Sequence, residues 1–272
     1  MWIGLLGAVR DPFRPGGPAA ELAPLLTPGL SLRACPSRVP AFPHTPVERL
    51  LQQVGHLDAA LVAVEDGCTA MVIDSVGDYG LEAIQAATPV PVFGAGFQGM
   101  AAAGAGGRRF GIVTVWPASM NFIPQDLLHR YGFAGQCLGI DNVGQEEALD
   151  QLQGPDGYLA QVRDGAAPIL ATINAAVARM AASGAEAVLL GCTCMSPLAG
   201  RIAQAASLPV INPLQEAVRA AVGVAATAAS GSGRLTLRPG RRDLVSRMVE
   251  GVAADAPEDC PVCIVASLEE GA

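Results

Sequence analysis

Short apolar runs closed by glycine, proline or a polar residue alternate along the chain with longer stretches of helical periodicity. Ile3-Gly-Leu-Leu-Gly7 and Phe110-Gly-Ile-Val-Thr114 read as short buried strands running into a loop. Ala70–Ile73 and Ala187–Leu190 are apolar runs of the same kind. A helical pattern precedes each of these, roughly over Pro46–Val64 and Pro168–Ser183, and a shorter one follows, over Leu81–Ala87 and Leu198–Ala206. Alternating strands and helices predict parallel sheets covered by helices on both faces.

The two sets of elements form a weak internal repeat. Gly67 aligns with Gly184, Ser75 with Cys192 and Leu81 with Leu198; Pro91-Val92 answers Pro209-Val210 after a slip of one residue. The predicted class is α/β, with two pseudo-symmetric doubly wound parallel-sheet halves and the active site in the cleft between them. Ligands of such sheets bind beyond the carboxyl ends of the strands. Ser75 and Cys192 both stand at such ends, each just before a helix. The first half is expected over 1–105 and the second over 106–215, with 216–272 as a C-terminal helix packing back on the first half plus a tail. Proline-rich Arg10–Pro46 reads as a long active-site loop with a short helix. Polar, glycine-containing Asp141–Asp164 reads as an insertion, a lid over the site. The tail Gly231–Ala272, Arg-rich and then acidic, reads as an appendage or as an extra helix with a strand.

Composition narrows the chemistry. Of 272 residues, 51% are hydrophobic and 15% charged, so the chain can bury a large core. Aromatics are only 4%, which leaves that core to Ala, Val, Leu and Ile. A net charge of −8 with no basic cluster argues against nucleic-acid binding. All 17 basic residues are Arg. Without lysine there is no Schiff-base chemistry and no Walker A phosphate site. The apolar opening Met1–Val9 is too short for a signal peptide and lacks a basic leader. No stretch reaches transmembrane length without a charge. A soluble, cytoplasmic protein without membrane contacts is expected.

The seven cysteines are odd in number and spread along a long chain, which argues against a disulfide framework. Cys260-Pro-Val-Cys263 has no second pair and no nearby histidine, so it reads as incidental thiols. His44, His56 and His129 are scattered, with His56 on a helix surface or in packing; no metal is expected. Gly94-Ala-Gly96-Phe-Gln-Gly99 follows a strand, but no acidic residue for a ribose follows on a next strand. No dinucleotide or other cofactor is expected.

Around the two strand ends the sequence resembles the aspartate/glutamate/hydantoin racemase superfamily, and within it the hydantoin-racemase-like branch, over about residues 1–225. Val188-Leu-Leu-Gly-Cys192-Thr-Cys-Met195 is similar to that branch's apolar strand followed by Gly-Cys-x-x-Met. It is also similar to the Gly-Cys-Thr-His of glutamate racemases, with Cys194 in place of the histidine. Val72-Ile-Asp-Ser75-Val-Gly-Asp-Tyr-Gly-Leu81 is similar to the branch's Cys-Phe-Gly-Asp-Pro-Gly-Leu. Phe110–Thr114 and Tyr131-Gly132 match its middle strand and the helix after it. The resemblance implies a cofactor-free site in which two cysteines flank the substrate's α-carbon, one removing the proton and the other delivering one to the opposite face. Here the first of the pair is Ser75, an alcohol too weakly acidic to replace a thiol without a strong partner. The family's Asn-Pro-Asn type loop after the first strand is Gly7-Ala-Val9 here. The groups that bind the amino and carboxylate ends of a free amino acid are not evident, which turns the expectation toward a cyclic or masked carbon acid.

Cys192 is the expected acid/base, its thiolate favoured by a helix N-terminus. The plain alternative is a buried structural cysteine. The backbone N–H groups of Thr193 and Cys194 would hold a substrate oxyanion. Ser75 is a hydrogen-bond donor to an enolate, a weak proton relay, or simply a helix N-cap. Asp74 activates or orients Ser75, binds substrate, or makes a structural hydrogen bond. Val76 and Gly77 complete that substrate-binding loop, and Asp78 reads as a turn or helix-start residue. Thr114 and Trp116 either line the pocket or pack their loop against Pro117. The leading expectation is a racemase or epimerase of a small hydantoin-like carbon acid, working as a homo-oligomer. The alternatives are a single-cysteine decarboxylase of the arylmalonate decarboxylase type and a non-catalytic small-molecule binding protein.

Overall fold

Parallel strands carry the fold in a computed structural model that describes residues 1–7, 20–39, 41–152, 157–225, 236–238 and 240–254. In chain order the elements are β1 (Trp2–Leu6), β2 (Ser31–Cys35), α1 (Pro46–Glu65), β3 (Ala70–Ile73), α2 (Leu81–Ala87), β4 (Val92–Gly94) and α3 (Ala95–Ala103). Next come β5 (Phe110–Thr114), α4 (Phe122–Arg130), β6 (Cys137–Asn142), α5 (Tyr158–Asp164), α6 (Ala167–Ala182), β7 (Ala187–Leu190), α7 (Ala199–Ala205), β8 (Val210–Ile211), α8 (Pro213–Ala225) and α9 (Arg241–Ala254). They make two four-stranded sheets, ordered β2-β1-β3-β4 and β6-β5-β7-β8, and every pairing is parallel. The α/β class and the parallel sheets are as the alternating pattern predicts.

The chain divides into two compact units. One holds Met1–Asp74, Asp78–Gly94 and the described part of Val218–Ala272; the other holds Ser75–Gly77 and Ala95–Ala217. The repeat extends to individual hydrogen bonds. In the first unit Thr69 N–H donates to Trp2 O (2.9 Å), Met71 N–H to Pro91 O (2.9 Å) and Asp74 N–H to Leu6 O (2.9 Å). In the second, Glu186 N–H donates to Arg109 O (2.8 Å), Val188 N–H to Pro209 O (2.9 Å) and Gly191 N–H to Val113 O (2.7 Å). Every residue of β3 and β7 is buried, as expected of central strands covered on both faces.

Local chemistry sets the helix that supports the first sheet. Thr45 caps α1, its Oγ1 accepting from Val47 N–H (3.2 Å), with Pro46 at the first helical position and Glu48 in the first turn. Gly67, at φ +81°, turns the chain from α1 into β3, and Gly184, at φ +88°, does the same between α6 and β7. The buried face of α1 carries one carboxylate, Asp58, only 1% exposed. It accepts a two-pronged bond from Arg38 (2.9 and 3.0 Å) and a longer one from Arg242 (3.4 Å), whose guanidinium also grips Glu65 (2.9 and 3.1 Å). The α9 helix is thereby tied to α1.

Three segments depart from the sequence reading. Within the expected loop Arg10–Pro46, Ser31–Cys35 is an edge strand paired with β1, and the short helix is a single 3-10 turn at Ala23–Leu25. Only half of β2 faces protein, so no apolar run marks it; its Arg33 lies over the Trp2 ring at 4.8 Å. Within the expected lid, Asp141 and Asn142 finish β6, and Tyr158–Asp164 is helical. The tail contributes helix α9, while the strand expected there, together with Cys260, Cys263, Ala8 and Val9, lies outside the described residues. Among the described residues no single helix is long and apolar enough to cross a membrane.

Replacing Asp58 with Ala leaves two guanidinium groups without their shared acceptor. Urea unfolding of Asp58→Ala is expected to show a loss of about 2 kcal/mol; stability within about 0.5 kcal/mol of the parent would mean that the cluster is only a surface ion pair.

Candidate functional site

The β7 strand delivers its carboxyl end to Gly191 and Cys192. Gly191 is held on both sides: its N–H donates to Val113 O, and its carbonyl accepts from Thr114 Oγ1 at 3.5 Å. A side chain there has no room, because a Cβ would sit 2.6 Å from Thr114 Cβ and 3.0 Å from Ile112 Cγ2. Cys192 remains extended (φ −148°, ψ 138°) and caps the 3-10 turn Thr193–Leu198, its Sγ accepting from Cys194 N–H at 3.2 Å. The turn is anchored behind by Asn212. Its Nδ2 donates to Ser196 Oγ (2.9 Å), while its Oδ1 accepts from Leu214 N–H (3.1 Å) and Gln215 N–H (3.3 Å) at the start of α8.

The counterpart position repeats this arrangement. After β3, Asp74 N–H closes the ladder on Leu6 O, and Ser75 Oγ accepts from Gly77 N–H at 3.0 Å. Ser75 and Cys192 thus make the same contact to the amide two residues on, one through oxygen and one through sulfur. For Ser75 this is a local turn contact, not the helix N-cap named as its plain alternative, because α2 begins only at Leu81 and its N-cap is Gly80. Ser75, Val76, Gly77, Thr114, Trp116, Cys192, Thr193 and Cys194 all fall in one compact unit, whereas Asp74 belongs to the other. Val76 is buried; Ser75, Gly77, Cys192, Thr193 and Cys194 are half-buried. Of a turn or a helix-start residue, the two readings of Asp78, the structure shows the turn, at φ +45°, with Leu81 N–H donating to its carbonyl (3.1 Å). Cys194 N–H, expected to meet a substrate oxyanion, donates to Cys192 Sγ in this structure.

The loop after β5 is fixed by uncharged donors that carry no sequence motif. Trp116 N–H donates to Thr114 Oγ1 (3.3 Å), and Trp116 O accepts from Asn142 Nδ2 (2.9 Å). Asn142 and Asn121 exchange amide hydrogen bonds (2.8 and 3.0 Å), and Tyr158 OH donates to Val115 O (2.8 Å). Burial pushes the Tyr158 phenol up to about 12, so it stays a neutral donor. Sequence reasoning passed over all three residues. The available signal was the place of Asn142 and Tyr158 in the polar segment read as a lid; Asn121 lies outside it and carried none.

In the first unit, β1 ends at Gly7 (φ +78°), where a Cβ would run into the His56 ring. His56 is buried, edge-on to Tyr79 (5.5 Å between centroids), with Nδ1 2.8 Å from Gln52 O. Burial lowers its pKa to about 4, so the ring is neutral, Nδ1–H donates, and Nε2 is an acceptor facing the end of β1. Of the two roles expected for His56, packing is the one observed. The Gly94–Gly99 motif does join a strand to a helix, and close packing demands two of its glycines. A Cβ on Gly94 would strike the Asp78 carboxylate, and one on Gly99 would sit 2.7 Å from Leu189 Cδ1 and 2.8 Å from Pro213 Cβ. Among the described residues no group of three or more His, Cys, Asp or Glu side chains is placed to hold a metal ion.

The sequence reading argued against a disulfide framework and named no pair, but Cys192 and Cys194 form a disulfide. Cys35, Cys68 and Cys137 are free. Burial pushes the Cys35 thiol up to about 11 and that of Cys68 to about 12, and raises that of Cys137.

The sequence profile of the Asp/Glu/Hydantoin racemase family matches residues 22–221. The hydantoin racemase of Pseudomonas sp. (strain NS671) is 28% identical over 184 residues, 68% of this chain and 69% of that protein. The hydantoin racemase of Rhizobium meliloti is 28% identical over 186 residues, 68% of this chain and 72% of that protein. Among solved structures, an allantoin racemase from Klebsiella pneumoniae aligns with a TM-score of 0.69 at 24% identity, covering 85% of this chain and 90% of that one. Unliganded arylmalonate decarboxylase aligns with a TM-score of 0.51 at 16% identity, covering 86% of this chain and 96% of that one. At these identities the two structures bear on the fold.

Two measurements probe these supports. Gly191→Ala is expected to cost about 1–3 kcal/mol in urea unfolding through overpacking, and less in a Thr114→Gly background; equal penalties in both backgrounds would dismiss the Thr114 contact as the cause. For His56 the linkage runs toward acid. Above pH 6.5 both folded and unfolded rings are neutral; below it the unfolded chain takes a proton that the folded chain refuses until about pH 4. From pH 7 to pH 5 this removes about 2 kcal/mol. His56→Gln should lack that share of the loss, and an identical pH slope in both proteins would contradict the buried neutral ring.

Proposed function

The chain belongs to the Asp/Glu/hydantoin racemase family, and from that premise we propose that it is a cofactor-independent racemase or epimerase of a small cyclic carbon acid of the hydantoin type, with Cys192 as its central acid/base. One observation carries the reading. The only thiol at the two equivalent strand ends is Cys192, and Cys194 N–H points at its sulfur from 3.2 Å. That donor, at the start of a turn, stabilises the thiolate needed to take a proton from carbon.

In the proposed reaction the reduced Cys192 thiolate removes the α-proton from one face. The electron pair moves into the adjacent carbonyl, whose oxygen takes up hydrogen bonds from Thr193 N–H and Val76 N–H. Reprotonation from the opposite face inverts the centre. Ser75 works there as a hydrogen-bonded relay for water, because its hydroxyl is too weakly acidic to act as a free acid. Thr114 is a positioning residue, setting the Gly191 carbonyl and with it Cys192; Trp116 offers an apolar wall. The charge balance agrees with an uncharged ring better than with a free amino acid, since Thr114, Trp116, Ser75 and Cys192 supply no fixed cation for a carboxylate. The presence of a single thiol also favours a second reading, one-face protonation after decarboxylation of a malonate-type acid.

The test is hydrogen exchange in deuterated water with a reducing agent present, on enantiopure 5-substituted hydantoins, allantoin and arylmalonates. Deuterium uptake at the α-carbon with decay of optical rotation is expected for a cyclic substrate. Cys192→Ala should lower the rate about 10²–10⁴-fold, and Ser75→Cys should raise it by restoring a second thiol. Carbon dioxide release with one product enantiomer would favour the lyase reading. Full activity in Cys192→Ala, or tight binding with no turnover of any carbon acid, would overturn both.

A further inference from the structure

We propose that Cys194 is a resolving thiol, so that Cys192 and Cys194 form a reversible dithiol/disulfide that a hydroperoxide closes and a low-molecular-weight thiol reopens. The redox state of this pair would then decide whether Cys192 is available for proton transfer; that last clause rests on the reading of the site given above.

Geometry carries the argument. The two residues lie two apart, with Cα atoms 5.2 Å apart, inside the range of about 4.4–6.8 Å that a disulfide spans without moving the backbone. The bond is formed in the structure, and both residues are half-buried, so a small oxidant or thiol can reach them. Both ends are held in place. Gly191 is clamped by Val113 and Thr114, and the turn beyond Cys194 is anchored through Ser196 to Asn212. The remaining described thiols do not compete. Cys35, Cys68 and Cys137 are unpaired, and burial holds each of them protonated at neutral pH.

The chemistry balances with a hydroperoxide as oxidant. Cys192 thiolate attacks the peroxide oxygen; an S–O bond forms, the O–O bond breaks, and the departing alkoxide or hydroxide leaves protonated. Cys194 then attacks the sulfenic sulfur, an S–S bond forms, and the S–O oxygen leaves as water with the thiol proton. Two thiols give up two electrons to the peroxide. Two equivalents of a small thiol reverse the closure by exchange, leaving as their own disulfide. In the closed state Cys192 has neither a proton to give nor a lone thiolate to accept one, so carbon-acid turnover stops. A quick second thiol also spares Cys192 from irreversible oxidation to the sulfinic state.

The experiment reads the bond and the activity separately. Arginine-specific cleavage releases Met180–Arg201, a peptide whose only cysteines are Cys192 and Cys194. The protein is reduced with dithiothreitol, desalted, treated with hydrogen peroxide, blocked with iodoacetamide and digested. This peptide is expected to be two hydrogens lighter and unalkylated, and to take two labels again after dithiothreitol. Carbon-acid exchange should fall to background and return in step. In Cys194→Ala the peptide should instead gain two oxygens on Cys192, with no recovery by dithiothreitol. A wild-type peptide that is alkylated twice after peroxide, that gains oxygens as readily as the variant, or that cross-links to another cysteine overturns the proposal. Reversible closure in a protein that exchanges no carbon acid in either state would instead sink the racemase reading and support the dithiol.

Discussion

Burial of the central strands on both faces is the constraint from which the rest of this molecule follows. Ala70–Ile73 and Ala187–Leu190 are enclosed along their whole length, and their backbone groups pair with strands on either side. A polar side chain inside such a strand would be stripped of water without a partner, at a cost of roughly 1–3 kcal/mol. Chemistry can therefore begin only where the ladder ends. The last ladder bonds are made by Asp74 N–H and Gly191 N–H, and the next residues are Ser75 and Cys192. Their equivalence in the repeat is a consequence of sheet geometry, applied twice.

What surrounds Cys192 is mechanically firm and electrically quiet. Thr114, Asn142, Asn121, Tyr158 and Asn212 satisfy the carbonyls and amides of the turns beside it with neutral hydrogen bonds. Such networks fix a backbone without adding charge. The first unit treats its own strand end in a different way, with a neutral imidazole beside Gly7. One buried ion-pair cluster of that unit stands away from the strand end, at Asp58 between α1 and α9, where it holds helices together.

Sulfur and oxygen in the same local geometry are not chemically equal. Ser75 and Cys192 each receive the amide two residues on, at 3.0 and 3.2 Å. Only the thiol can ionise near neutral pH under that influence. In the proposed chemistry the same property that would suit Cys192 to carbon acids would expose it to oxidants, with Cys194 as the neighbour that captures the oxidised form. The two proposals would thus share one physical origin, a reduced Cys192 at the end of a buried strand.

By itself the sequence determined the elements whose signal is local. The bounds of β3, α2, β5 and β7 follow from dense apolar runs and from turn glycines at Gly67 and Gly184, and the internal repeat foretold the matching strand orders. It also placed Ser75 and Cys192 two residues beyond the ends of β3 and β7, where both are found, because the apolar runs that mark those strands stop there. The edge strand β2 and the end of β6 were not legible, since half-exposed strands need no apolar run and take their identity from the neighbour they pair with. Nor could residue type alone reveal the roles of Gly191, Tyr158, Asn142 or His56. A glycine forced by Thr114, a phenol on Val115 O and an imidazole facing Gly7 depend on residues distant in the chain, brought together by packing. Whether Cys194 lends its amide to a substrate or to Cys192, and its sulfur to nothing or to a bond, was likewise decided by the turn that brings two neighbouring thiols within reach of each other.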